Sequence, residues 1–419
     1  MNGFVEVVTI FCLAMPVYVY LGYPLLLLLF CQLVPRRQTH FTDMEPSVTL
    51  VVSYHNEEDV IEEKIKNCLA LYYPSEKFEI LFVSDASEDR SDEIVASYLD
   101  RGVRLIRQQQ RQGKTSGLNA AVPQARGELI IFSDANAIYD RNAVSELVKH
   151  FVDPAVGYVV GAALYRDSNS SSAASSESGY WSYELLLKSC ESKLSSVVGG
   201  DGAIYAARKC LYETLDSRDI NDFVNPLQIC AKGYRGVFEP AAICYEDTAG
   251  SFSEEGARKE RIVNRSFRGL MSVKEVLNPF RFGIFSWQVV SHKLLRWLVP
   301  FFLLIAVPGA LYLSSQQLMT FQFISGGILV VCVSALLGYL LSLAGTGNRF
   351  LSLPYYFVLV NYYSLRGVCR SVLGSIQVTW NSSRAVDPKE NRKGVVRVVS
   401  VAVSLIVLLS FRLYVDVVV

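Results

Sequence analysis

Between positions 4 and 30 the chain carries one charge, Glu6, in an otherwise apolar run. A helix of that length crosses a hydrocarbon core of about 30 Å, so the run is expected to span a membrane. A cleaved signal peptide would open on basic residues and close on a small-residue site. Here the start is MNGFVE and the run ends at Val34-Pro35-Arg36-Arg37, which reads as an uncleaved anchor over residues 1–35. Comparable apolar runs recur at 294–313, 321–343, 351–373 and 395–419, and nowhere between Arg36 and Ile284. The 51% hydrophobic content is therefore concentrated at the two ends. Residues 36–285 are left as a unit of about 250 residues, large enough for its own core, and 286–419 as a second membrane region.

Arg36 and Arg37 follow the first run directly, and positive-inside bias places the central unit in the cytoplasm. The nine cysteines show no CxxC pair, and the histidines stand only at 40, 55, 150 and 292, so neither a disulfide framework nor a zinc cluster is indicated. A net charge of zero provides no basic field for nucleic acid. Run 351–373 is interrupted by Pro354, Asn361, Arg366, Gly367 and Arg370. If it crossed, the basic segment 384–397 would lie outside, so an interfacial or re-entrant helix is expected there, with about three spans in the C-terminal region. Thr379, Trp380 and Arg384 are then expected near the central unit's crevice.

Within that unit, short β-branched runs at 47–53, 78–83, 103–107 and 128–132 alternate with polar breaks and helical patterns such as Val60, Ile61, Ile65 and Leu69. This βαβ series predicts an α/β fold with a mostly parallel sheet, whose ligands gather beyond the carboxyl ends of the strands. Three polar loops fall at those ends: His55-Asn56-Glu57, Ser84-Asp85-Ala86-Ser87 and Ser133-Asp134-Ala135-Asn136. Singly, each reads equally well as a solvated loop; their convergence points to a site. Gly113-Lys114-Thr115 has the ending of a Walker loop, but the position that needs its first glycine is Gln108, which excludes a phosphate cradle of that type.

Six stretches follow one another in order: VVSYHNEE, FVSDASED, RQGKTSGLNAA, IIFSDAN, GGDGAIYAAR and INDFVNPLQICAKGYRGVFEP. With them the chain resembles the inverting glycosyltransferases of family 2, nucleotide-sugar enzymes with a GT-A (Rossmann-like) fold, and in particular membrane-bound members that build bacterial surface polysaccharides or glycolipids. The resemblance implies an inner-membrane enzyme with a cytoplasmic catalytic domain. It implies a nucleotide-sugar donor, a lipid-linked or saccharide acceptor, and other polysaccharide biosynthesis or export proteins as partners. By the same resemblance Asn56, Glu57 and Asp85 line the nucleoside pocket, Glu57 having a second reading as a helix-dipole partner. Lys114 and Arg261 are implied at the diphosphate, where fixed cations stabilise a leaving anion. A solvated lysine remains the alternative for the first. For the second the alternative is a basic face formed with Arg258, Lys259, Arg265 and Arg268, either on anionic lipid or simply solvated.

Asp134-Ala135-Asn136 stands where the family carries Asp-x-Asp, implying Mg2+ or Mn2+ held by Asp134 with Asn136 as a neutral second ligand. Asp222 matches the position of the general base, with Asp219 as rival and N-capping as the other role for either. Gly200, Asp201 and Gly202 resemble a loop touching donor and acceptor, or form an ordinary turn. Where polymerising members have Gln-x-x-Arg-Trp this chain has Arg258 to Ile262, without the stacking ring. That favours addition of one or a few sugars over a processive synthase. The neutral Asn136 leaves a third alternative, an inactive donor-binding subunit of an export machine. The Ser-rich stretch 167–178 reads as a mobile linker or an acceptor gate.

Overall fold

The computed structural model describes residues 2–35, 45–165, 172–246, 252–343, 349–376 and 378. Its centre is an eight-stranded sheet built from β1 (Val48–Tyr54), β2 (Phe78–Ser84), β3 (Val103–Arg107), β4 (Leu129–Asp134), β5 (Ile138–Tyr139), β6 (Val156–Tyr165), β7 (Tyr205–Arg208) and β8 (Arg235–Glu246). The spatial order is β3-β2-β1-β4-β7-β6-β8-β5. β3, β2, β1 and β4 run parallel, as does β6 beside β8, while β7 is antiparallel to both β4 and β6. The expected mostly parallel α/β sheet is thus present, with an antiparallel insertion in its second half.

All seven residues of β1 are buried, as expected of a parallel strand covered on both faces. Side chains alternate between faces. Leu50, Val52, Ile80, Phe82 and Ile131 join one core with α3 (Ile61–Leu69), α4 (Ser91–Ala96) and α6 (Ala143–Val148). Val51, Leu81, Val83, Ile130 and Phe132 join the other, toward α5 (Lys114–Ala121), α8 (Asn221–Ala231) and α9 (Phe252–Ser272). Fully burying each such side chain stabilises by about 1.5–3 kcal/mol, and truncating Leu81 to Ala would cost about 2–5 kcal/mol.

Three helical stretches are long and apolar enough to cross a membrane: Gly3–Leu33, Ile284–Ser315 and Met319–Ser342. The first joins α1 (Asn2–Val17) and α2 (Tyr23–Leu33) through a π turn at Tyr18–Gly22, and the second joins α11 (Ile284–Val289) and α12 (Leu295–Ser315) through a π turn at Val290–Leu294. The short α10 (Pro279–Phe282) precedes the second, and α13 (Met319–Leu343) carries the third. α14 (Arg349–Val372) lies against α9, where Glu260 accepts from Arg370 Nη1 at 2.8 Å and pairs with Arg366 at 3.4 Å. Run 395–419 and residues Thr379, Trp380 and Arg384 fall outside the described residues. Trp297 of α12 packs edge-on against Phe223 of α8, with ring centroids 5.6 Å apart, so a single core continues from the sheet into the second apolar helix.

Two expectations need correction. The Ser-rich stretch is helical from Ser172 onward, as the start of α7 (Ser172–Leu194); once the later apolar turns nucleate a helix, each added residue gains a hydrogen bond. The cations of α9 do not form a free basic face. Arg258 and Lys259 pair with Glu255, Arg268 with Asp216 and Asp219, and Arg265 is buried.

Candidate active site

The carboxyl ends of β1, β2 and β4 carry the three polar loops, and backbone-directed hydrogen bonds bind them together. Asn56, at φ 53°, accepts from Glu88 N at 2.8 Å, and its own amide donates to Ser87 Oγ at 3.1 Å. The Glu57 amide donates to Ser91 Oγ at 2.9 Å. His55 Nδ1 lies 2.8 Å from the carbonyl of Asp85. The carboxylate of Asp85 is buried and accepts from the amides of Gln112 (2.8 Å) and Gly113 (2.9 Å) and from Gln108 Nε2 (2.8 Å). Asp85 therefore shapes the segment from β3 to α5. That segment turns at Gly113, whose φ of +90° suits a residue without Cβ, and sets Lys114 as the first residue of α5.

Lys114 Nζ pairs with Asp134 Oδ1 and lies 3.3 Å from the carbonyl of Gly202. Gly202 marks the centre of the crevice. A Cβ at that position would stand 3.0 Å from Asp222 Oδ2, 3.4 Å from Lys114 Nζ and 3.5 Å from Asp134 Oδ2. A side chain here would fill the space on which the three charged groups converge. Asp222 sits in the first turn of α8, and the loop before it is held by the Gly200 amide donating to the Asp222 carbonyl at 2.5 Å. Its Oδ1 is buried without a hydrogen-bond partner among the described residues. Burial, with Asp201 and Asp134 nearby, raises the Asp222 carboxyl above its ordinary value against the opposing pull of Lys114. Burial and then Arg258 lower the Arg261 guanidinium, which interacts electrostatically with Asp134 and Asp222 from α9.

Asp219 is placed differently. Its carboxylate pairs with Arg268, and its carbonyl accepts from Thr115 Oγ1 at 2.8 Å and from Arg265. It ties α5 to the start of α8. Asp201 is buried in a 2.9 Å pair with Lys188 of α7.

The crevice thus has two ends, with Asn56, Glu57 and Asp85 at one and Lys114, Asp134, Gly202, Asp222 and Arg261 at the other. The part-buried side chain of Asn136 has no hydrogen bond among the described residues. No group of three His, Cys, Asp or Glu residues is arranged to hold a metal among the described residues. The donor set of one part-exposed carboxylate and one amide fits a hard cation that takes its remaining ligands from water and a substrate diphosphate.

Three groups escaped the sequence. Lys188, at the far end of the α7 pairing, carried no local signal. Glu246, ending β8, keeps its proton up to about 8 through burial, with Asp201 adding to the effect. Lys64, wholly buried under the Ser133–Ala137 turn, lies in the apolar stripe of Ile61, Ile65 and Cys68; a charge in such a stripe was the available clue.

A curled, mostly parallel sheet with acidic loops on its carboxyl edge is the GT-A arrangement. Residues 49–210 match the sequence model of Glycosyl transferase family 2, so the chain carries a glycosyltransferase domain of that family. Poly-beta-1,6-N-acetyl-D-glucosamine synthase of Staphylococcus aureus is 25% identical over 240 residues, covering 54% of this chain and 58% of the relative. A probable glycosyltransferase, YdaM of Bacillus subtilis, is 27% identical over 214 residues, covering 48% and 50%. The chain thus spans about half the length of these curated relatives. Among solved structures, the mannosyltransferase PcManGT from Pyrobaculum calidifontis, in complex with GDP-Man and Mn2+, superposes with a TM-score of 0.65 at 20% identity, covering 88% of this chain and 99% of that one.

Proposed function

We propose that the protein is a membrane-bound inverting glycosyltransferase that moves a sugar from a nucleotide-sugar donor to a lipid-linked or growing saccharide acceptor. The observation that carries this reading is the convergence of Asp222, Lys114 and Asp134 on the space above Gly202. In the reaction the acceptor oxygen bonds to the anomeric carbon, the bond from that carbon to the diphosphate breaks, and the nucleoside diphosphate departs. Asp222, its carboxyl raised above the ordinary value by burial and with an unpartnered oxygen, takes the acceptor proton. Lys114 and Arg261 face the departing charge. Asn56, Glu57 and Asp85 hold the nucleoside. Asp134 and Asn136 would hold a divalent cation together with the donor, and it would supply Lewis-acid stabilisation of the diphosphate.

Phe223, next to Asp222, rests on Trp297 of an apolar helix, which supports an acceptor presented at the membrane surface. The name of the staphylococcal relatives favours a polymerising variant of the same chemistry. The reading includes a catalytic domain over 36–285, an anchor before it, a membrane region after it and a cytoplasmic orientation in a bacterial inner membrane. Exposed Cys210 should react with an impermeant maleimide only after cells are broken, a Cys210→Ser variant serving as control.

The activity test is release of nucleoside diphosphate from a panel of sugar nucleotides by membranes of expressing cells. Release from one donor is expected, abolished by chelation. Silence across the panel, or full activity in excess chelator, would overturn the enzyme or the metal assignment respectively.

A further inference from the structure

Lys64 is a lysine with no exposed surface, on the inner face of α3, and nothing in the transfer chemistry uses it. Its Nζ donates to Ser133 Oγ at 2.8 Å and to the carbonyl of Ala137, and lies 4.1 Å from the centre of the Tyr139 ring. Three N–H groups thus meet two oxygens and a π face, which accounts for the donor capacity of an ammonium. Among the described residues no carboxylate lies within ion-pair distance of it.

Ser133 and Ala137 are the residues that bracket Asp134-Ala135-Asn136. One turn further along α3, Asn67 Nδ2 donates to the carbonyl of Tyr139 at 2.8 Å, and its Oδ1 accepts from the Tyr139 amide at 2.9 Å. The Tyr139 hydroxyl in turn donates to the carbonyl of Ala203 (2.9 Å), beside Gly202, and lies 3.2 Å from that of Phe132. The turn that presents Asp134 and Asn136 is therefore gripped at both ends from one side of a helix.

We propose that Lys64 is a positioning residue that fixes the spacing of Asp134 and Asn136, and so sets the affinity of the crevice for a divalent cation and the diphosphate that completes its shell. This rests on the reading of the crevice as a nucleotide-sugar site. Because Asn136 brings no charge, the affinity of this pair depends on geometry more than that of two carboxylates would, and a residue that fixes that geometry has correspondingly more effect. Residues that orient metal ligands typically contribute about 10- to 100-fold in affinity.

The test uses full-length protein in detergent, with Mn2+ uptake followed by the paramagnetic resonance of the free ion, in uridine diphosphate and separately in guanosine diphosphate. Lys64→Met fills the same space without the donors, and it should weaken Mn2+ uptake about 10-fold or more. Its transfer rate should recover as Mn2+ is raised, a rescue that damage to the fold would not give. Ser133→Ala keeps Lys64 and removes one anchor; it should weaken uptake about 5-fold, the equivalent of one hydrogen bond, and decides the matter if Lys64→Met does not fold. Uptake at wild-type affinity by folded Lys64→Met, or by Ser133→Ala in that case, overturns the inference alone. Wild-type protein that takes up no Mn2+ with either nucleotide overturns the reading of the crevice and this inference with it.

Discussion

Around His292 buried polar groups bond to one another. The two ring nitrogens lie 2.6 Å from Glu191 Oε1 and 3.0 Å from Glu184 Oε2, Glu184 also pairs with Arg296, and Tyr23 donates to Glu191 at 2.6 Å. In the crevice at the carboxyl edge of the sheet, an oxygen of Asp222 has no partner among the described residues, and Arg261 makes no ion pair among them. Both regions hold buried charge, but one is bonded mainly within itself, although Arg296 Nε and Nη2 make no hydrogen bond among the described residues, and the other converges on the space above Gly202. The first network joins α2, α7 and the α11–α12 helix; the second leaves capacity for a substrate. Mutations should therefore separate the two regions, those around His292 showing in stability and those in the crevice showing in chemistry.

The largest separation is expected at Asp222. Asp222→Asn keeps the shape and removes the proton acceptor, so sugar transfer should fall by roughly 10²–10⁴-fold while the melting temperature and donor binding by calorimetry stay near wild type. If Asp219→Asn were the dead variant instead, the pairing of Asp219 with Arg268 would have been misread as structural. Lys114→Ala comes next, with transfer reduced by roughly 10²–10³-fold as for loss of one charge-stabilising donor, and donor affinity weakened alongside. Glu191→Gln should do the reverse. It weakens the acceptor shared by Tyr23 and His292 and should cost about 1–3 kcal/mol of stability, seen in thermal unfolding, with kcat per folded molecule changed little.

A smaller effect is expected in the pH profile. Because the Asp222 carboxyl is raised and its charged form is the active one, transfer should decline on acidification with a midpoint above the ordinary aspartate value of 3.8. The residual activity of Asp222→Asn should lack that limb. Glu246 gives the matching stability test. Its folded pKa of about 8 stands above the ordinary 4.5, so its contribution is complete below 4.5 and is lost as pH rises through 8. Glu246→Gln should flatten that decline in melting temperature. The smallest change is expected from Asn136→Asp, which should lower the divalent concentration needed for half-maximal activity by a few-fold; an unchanged requirement would place Asn136 outside the cation's reach.

The crevice was largely legible in the sequence and the network around His292 was not. Asp85, Lys114 and Asp134 follow strands or open a helix, and chain direction alone puts such residues at the ligand edge of a parallel sheet. Asp222 needed the ordered motifs, since its neighbour Asp219 has the same chemistry and differs only in what lies across from it. Glu184, Glu191 and His292 meet through packing between segments about a hundred residues apart, and no local pattern records such a meeting. The charges of α9 show why: Arg261 and Arg265 are separated by one helical turn, yet one faces the crevice and the other holds the backbone of Ser217, Arg218 and Asp219.

The two π turns also carry a consequence for descent. Tyr18–Gly22 and Val290–Leu294 lie side by side, with Tyr18 Oη 2.8 Å from Ser291 Oγ and Trp287 Nε1 donating to the same hydroxyl at 2.9 Å. A π turn holds one residue more than an α turn, so deleting one residue from either turn would restore α pitch and leave the residues on both sides on their faces, whereas the same deletion in a neighbouring α turn would swing everything beyond it by about 100°. In the second helix only the latter would carry Arg296 and Trp297 away from Glu184 and Phe223. Loss of a single codon is therefore tolerated at these two turns and not in the α turns beside them, and one-residue gaps should gather at the two places when related sequences are compared.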